Sequence, residues 1–181
     1  MSLVIYYHND NRIIVDGLQD VVTNSFKNDA TLELTLCYED DSGVITGATN
    51  ATPIVITSAA HGLSNGDSVH IRKIAGNTAA YGVWTVANKT TNTFELVDSV
   101  GNSAFIDTST EDDPAKWYRV VPGVVKQSMT YVAGSSGKYY YTLPGTVYLR
   151  AAERYRAFIR DIGIYLDKFD RWPEVVVTDA T

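Results

Sequence analysis

One cysteine, Cys37, stands in 181 residues, so no intrachain disulfide can form and a stapled secreted scaffold is excluded. No apolar run approaches the ~18 residues that a membrane-spanning helix needs. Residues 1–11 lack both the positive start and the apolar stretch of a signal peptide, and none is expected. Basic residues are in the minority: 15 Lys and Arg stand against 21 Asp and Glu, for a net charge of −6. That balance argues against nucleic acid, whose phosphates need clustered cations, and against an anionic membrane surface. The expected setting is a cytoplasm, or release from one by lysis.

Chemical motifs are equally scarce. There is no G-x-x-x-x-G-K-[ST], no G-x-G-x-x-G between a strand and a helix, and no G-x-S-x-G. The three histidines, His8, His61 and His70, are scattered, without a carboxylate or cysteine at metal-ligand spacing. Cys37 sits in mid-strand with no neighbouring base to lower its pKa. No catalytic, cofactor-binding or metal-binding residue is expected, and the chain is read as not an enzyme and as needing no cofactor.

What is present is strand texture. In Thr31-Leu32-Glu33-Leu34-Thr35-Leu36-Cys37-Tyr38, Leu32, Leu34, Leu36 and Tyr38 share one face at period two. Asn11 to Val15 predicts a second strand. Asp40-Asp41-Ser42-Gly43 carries turn chemistry and is expected to end the first run. From Val44 to about Asp107 the chain is rich in Thr, Asn, Ala and Gly. Short strands are expected there at Pro53–Thr57, Asp67–Lys73, Val83–Asn88 and Thr93–Val97, separated by Gly/Asn/Ser clusters. A second break follows at Glu111-Asp112-Asp113-Pro114. Strands then resume at Trp117–Val121, Val124–Val132, Tyr139–Leu143, Thr146–Leu149, Tyr155–Ile162 and Val175–Thr178, with Gly134-Ser135-Ser136-Gly137 as a hairpin loop. Ala151–Ile162 is read as a turn and a strand, with a short helix near Ala151 as the other reading.

Two acidic breaks flanking a segment of different texture describe an insertion. Residues 1–43 plus 111–181 are expected to form a host domain and 44–110 a guest within one of its loops. The acidic clusters Glu39-Asp40-Asp41 and Glu111-Asp112-Asp113 are expected beside each other as solvated hinge loops. They lack the D-x-D-x-D-G pattern of a calcium loop. Arg150, Arg154, Arg156, Arg160 and Arg171 accompany Phe158 and Trp172. If Arg154, Arg156, Phe158 and Arg160 share an outward face, they form a protein interface; the other reading is an ordinary solvated strand face.

The middle segment carries His61-Gly62-Leu63-Ser64-Asn65-Gly66-Asp67, Gly76-Asn77-Thr78-Ala79-Ala80, Gly82-Val83-Trp84-Thr85-Val86 and Thr93-Phe94-Glu95-Leu96. This closely resembles the HGL-x-x-G-D … G-N-T-A … G-x-W-T-V … T-F-x-L repeat of tailed-phage and prophage structural proteins, a domain often labelled after one in ubiquitin-activating enzymes. Tyr81 departs from that pattern. The flanking segments, with Asn28 to Leu36, Met129 to Tyr139, Leu143-Pro144 and Ala151 to Tyr155, resemble an immunoglobulin-like module of phage virion proteins. The spacing of Ala151 and Tyr155 is compatible with a tyrosine corner.

The resemblances imply an all-β chain: an immunoglobulin-like β-sandwich interrupted by a small β-barrel or β-sandwich. They imply a structural protein of a tailed-phage virion, made in the host cytoplasm. It would sit on the capsid shell as decoration or cement, or in the neck or tail. Its partners would be other virion proteins (capsid, portal/neck or tail) and further copies of itself, with neither nucleic acid nor membrane. The alternative is a carbohydrate- or host-surface-binding β-module that stacks Trp84, Trp117 or Trp172 on sugar rings.

Overall fold

A computed structural model describes residues 3–6, 10–20, 22–74, 76–106, 114–150, 153–162 and 174–178; for 3–6 and 174–178 the backbone alone is considered. The chain is all-β. Its strands are β1 (Leu3–Tyr6), β2 (Asn11–Val15), β3 (Leu32–Val44), β4 (Gly47–Ala48), β5 (Val55–Thr57), β6 (Ser68–Arg72), β7 (Gly82–Ala87), β8 (Thr93–Leu96), β9 (Phe105–Ile106), β10 (Lys116–Val120), β11 (Gln127–Ser128), β12 (Thr130–Tyr131), β13 (Tyr139–Leu143), β14 (Arg154–Asp161) and β15 (Glu174–Thr178). One turn of 3-10 helix spans Thr78–Ala80.

Two compact units result: Met1–Cys37 with Val121–Thr181, and Tyr38–Val120. The junctions expected at 43/44 and 110/111 both fall inside the second unit. The reason lies in β3. The Asp40-Asp41-Ser42-Gly43 stretch does not turn; it continues the strand to Val44. Asp41 is held by Arg119 of β10, and Gly43 lies under the Trp117 indole, where a Cβ would come within 2.6 Å of Nε1. Residues that favour turns in isolation are here selected by an ion pair and a close approach.

The outer unit is built from two sheets. One contains β1, β15, β14, β3 and β11; the other has the order β12-β13-β2. β1 pairs with β15 in parallel, and β14 with β15 antiparallel. The β2-β13-β12 and β3-β14-β15 neighbour sets match the B-E-D and C-F-G sets of an immunoglobulin-like sandwich. Alternation drives the second sheet: Ile13, Tyr139 and Leu143 are buried, whereas Arg12, Ile14 and Thr142 are exposed. β3 is buried on both faces from Leu34 to Tyr38, Thr35 and Cys37 included, so period two alone understates its burial.

Tyr155 opens β14 as a tyrosine corner. Its ring is fully buried; its hydroxyl accepts from the Arg150 N–H at 2.6 Å and lies 3.3 Å from the Arg150 carbonyl, to which it donates. The β12–β13 hairpin closes through residues 132–138, with the Val132 N–H donating to the Lys138 carbonyl at 2.9 Å. Two expectations fail. Thr146–Leu149 forms no strand; the segment after Pro144 is a turn, with the Val147 N–H on the Pro144 carbonyl. Val124–Val132 is not one strand but the short β11 and β12, with Met129 between them bonded to the Leu32 carbonyl. The helical alternative at Ala151 and Ala152 lies outside the described residues.

The inner unit is one run of neighbouring strands: the end of β3, then β10, β6, β7, β8, β5, β4 and β9. β7 changes partner midway. Residues Gly82 to Thr85 pair with β6, and Val86 and Ala87 pair with β8. The strands enclose one apolar core that includes Ile45, Ile54, Ile56, Leu63, Val69, Ile71, Phe94, Leu96 and Trp117. The strands expected at 53–57, 67–73, 83–88 and 93–97 are β5 to β8.

The two chain crossings out of the outer unit are adjacent, because the Val121 N–H donates to the Leu36 carbonyl at 2.8 Å. Replacing Tyr38–Val120 with a short Gly/Ser turn is therefore expected to leave the outer unit folded, since loop closure there costs little. Circular dichroism with a cooperative melt and resistance to limited proteolysis checks this; a disordered product would show that the outer unit needs the inner one.

Candidate binding surfaces

The motif residues of the inner unit are nearly all committed to the fold. His61 accepts the Leu63 N–H on Nδ1 at 3.0 Å, which puts its proton on Nε2, 3.2 Å from the Thr93 carbonyl. The ring stands edge-on to Phe94 with centroids 5.2 Å apart. Gly62 and Gly66 take positive φ, and Leu63 drops into the core. Asp67 Oδ2 accepts the Ser64 N–H at 2.6 Å. Asn77, fully buried, donates to the Thr49 carbonyl at 3.0 Å; its Oδ1 has no partner among the described residues, an arrangement an ordered water ordinarily completes. Trp84 donates its indole N–H to the Ala80 carbonyl at 2.9 Å.

Arg119 joins this motif to the rest of the unit. Its Nε donates to Asp41 at 2.6 Å, Nη1 to Asp67, and Nη2 to the Gly62 carbonyl at 3.3 Å. One guanidinium thus ties β10, β3 and the 62–67 loop. The three side chains are about a quarter exposed, so screening holds the net gain to roughly 1 kcal/mol. Sequence reasoning missed this cluster. Asp67 was visible in the motif, but nothing local marks Arg119 as its partner.

The other candidates are dispersed. His70 is buried on β6, Cys37 is buried in β3, and His8 lies outside the described residues, as do Glu111-Asp112-Asp113, Arg171 and Trp172. The expected juxtaposition of the two acidic clusters therefore falls outside them too. Among the described residues no group of three or more His, Cys, Asp or Glu is placed to hold a metal ion. No helix there is long and apolar enough to cross a membrane.

The interface expected at Arg154, Arg156, Phe158 and Arg160 needs correction. Arg154 and Arg160 are exposed and Arg156 is half-buried, but Phe158 is buried. β14 lies between β15 and β3, and Ala157, Phe158 and Ile159 are all buried, so both of its faces are covered at that point. Phe158 offers a partner nothing. Trp117 is likewise a core residue: buried, edge-on to Phe94 at 6.5 Å, with its indole N–H on Ser58 Oγ at 2.9 Å.

No family model matches the chain, and no curated protein matches it in sequence.

Exposed apolar side chains occur in both units: Val100 and Ile106 in the inner one, and Val22, Phe26 and Ile14 in the outer one. A turn over 22–25 is fixed by Asp20, whose Oδ1 accepts the N–H groups of Val22 and Thr23 at 2.9 and 3.0 Å. Bonding from the Thr23 and Val22 N–H groups holds the Asp20 pKa below the ordinary carboxylate value. The turn presents Val22, 85% exposed, and Phe26 is also exposed. The segment after it is held by Tyr139, whose hydroxyl accepts the Ala30 N–H at 3.0 Å and donates to the Lys27 carbonyl at 2.9 Å. Burial pushes the Tyr139 phenol pKa upward. The outward face of the β2-β13-β12 sheet presents Arg12, Ile14 and Tyr140, with the Arg12 guanidinium 4.8 Å over the Tyr140 ring.

Proposed function

We propose that this chain is a non-enzymatic structural component of a tailed-phage particle, either on the capsid shell as decoration or cement or within the neck or tail. One observation carries the reading. The segment that resembles the phage structural repeat has its polar side chains His61, Asp67, Asn77 and Trp84 bonded into its own turns and strands. Such a module offers a partner shape and surface rather than a reacting group. The immunoglobulin-like strand order of the outer unit agrees with the second resemblance. Other virion proteins are the partners this reading requires, and the virion is its location. The sugar-stacking alternative loses Trp117 to the core.

The test is to purify particles and quantify this protein by mass spectrometry against the major capsid protein. A count on the order of hundreds per particle would place it on the shell, and about a dozen or fewer in the neck or tail, following the symmetries of those assemblies. Absence from purified particles would overturn the proposal.

A further inference from the structure

Among the described residues β2 is an edge strand, and its free side has a self-complementary pattern. In the β12–β13 hairpin, Tyr131 faces Tyr139, and the next pair, Val132 and Lys138, is joined by a backbone hydrogen bond. Backbone groups alternate sides along a strand. Lys138, Tyr140 and Thr142 therefore turn their N–H and C=O groups toward β12, and Tyr139, Tyr141 and Leu143 turn theirs toward β2. The β2 partners of the latter are Val15, Ile13 and Asn11. It follows that Arg12 and Ile14 direct their backbone groups away from β13; Asp16 is the first residue beyond the end of β2. Among the described residues β2 pairs with no strand on that side. The same three residues carry the exposed side chains: Ile14 is 42% exposed, and Arg12 and Asp16 are also exposed.

We infer that β2 pairs with β2 of a second copy of this chain, antiparallel about a two-fold axis at Ile14, joining two three-stranded sheets into one of six strands. In that register Ile14 faces Ile14 of the partner subunit, each Arg12 faces Asp16 of the other copy, and Ile13 faces Val15 on the inward side. The Ile14 pair exchanges backbone hydrogen bonds across the axis, and both charges meet their opposites. A slip of two residues toward the N-terminus would instead set Asp10 against Asp16 and Arg12 against Ile14, so charge selects the register. Among the described residues no strand covers the Arg12-Ile13-Ile14-Val15 edge, and a strand edge with an exposed Ile at its centre is a template for pairing with another chain. Nearby groups leave room for this: Lys138 Nζ reaches Asp16 at 3.4 Å from within its own chain, and Asp16 remains 69% exposed at its side chain. The dimer rests on the strand edge alone; its failure would leave the virion reading standing, and the absence of the protein from particles would leave the dimer standing.

The experiment is sedimentation equilibrium on the full chain and three charge variants. The wild type is expected to dimerise. Arg12→Asp and Asp16→Arg should each weaken dimerisation by about tenfold or more, because like charges then face each other twice. The double variant Arg12→Asp with Asp16→Arg should recover to within about threefold of the wild type, the pair being re-formed in reverse. Ile14→Pro provides an independent probe. Its lost N–H points away from β13, so the unit still folds, as thermal melting would verify, but the bonds at the axis disappear. A wild type that stays monomeric at its highest soluble concentration would overturn the inference and leave the edge to a different protein's strand. So would a dimer indifferent to the single reversals, or one not recovered by the double.

Discussion

Gly137→Ala is expected to destabilise the outer unit by about 3 kcal/mol or more. Two costs combine. Gly137 has φ +66°, a conformation that costs an L-residue about 1–2 kcal/mol. A Cβ there would also strike the backbone of Leu18, lying 2.8 Å from its N and closer still to its carbonyl oxygen. Backbone cannot swing aside as a side chain does, so overpacking adds about 1–3 kcal/mol. The close approach exists because the Leu18 N–H donates to the Gly137 carbonyl at 2.9 Å while the Gly137 N–H donates to Asn28 Oδ1 at 2.8 Å. Gly134→Ala is the control. Gly134 has φ +75° but open space around its Cβ position, so it should show only the conformational cost. Urea denaturation of both variants checks the difference; equal losses would mean that the Leu18 contact contributes nothing.

Trp117→Ala should cost the inner unit about 3–5 kcal/mol, the range for truncating a buried aromatic. The indole fills the core beside Phe94 and satisfies the buried Ser58 hydroxyl. Trp117→Phe, which keeps most of the bulk but loses that hydrogen bond, should cost less, about 1–3 kcal/mol for the bond together with a residual void. Gly43 supplies a sharper check. Gly43→Ala alone drives a methyl into the indole and should destabilise by about 1–3 kcal/mol. Combined with Trp117→Ala, the same methyl has space to occupy, so the two losses should add to markedly less than their sum. Hydrogen exchange read by mass spectrometry would place the loss in Tyr38–Val120. Strict additivity would show that Gly43 is not selected by Trp117.

Much of the fold was legible because its information is local. Period-two alternation located β2, β13 and the start of β3, and Gly/Asn clusters located the turns between β5 and β8. The position of Tyr155 anticipated the hydroxyl bond to Arg150. Two errors come from tertiary context. Asp40-Asp41-Ser42-Gly43 was read by its intrinsic preferences, yet it is strand, because Arg119 and Trp117 reach it from far along the chain. Alternation offers an outward face with Phe158 on it as one of two readings, yet Phe158 is buried, because β14 is covered on both faces. Alternation reports one buried face and is silent where a sheet has two.

The candidate surfaces divide the same way. The charge pattern Arg12-Ile13-Ile14-Val15-Asp16 was present in the sequence, but whether it is an edge or a central strand is a property of the sheet. By itself the sequence determined the all-β class, the turn residues and the alternating core positions, since these follow from backbone preference and side-chain period. Tertiary structure alone decided where one unit gives way to the other, which aromatic residues are core, and which of the described strands lies at a sheet edge. Each of those depends on residues far apart in the chain meeting in space, and no local preference encodes that meeting.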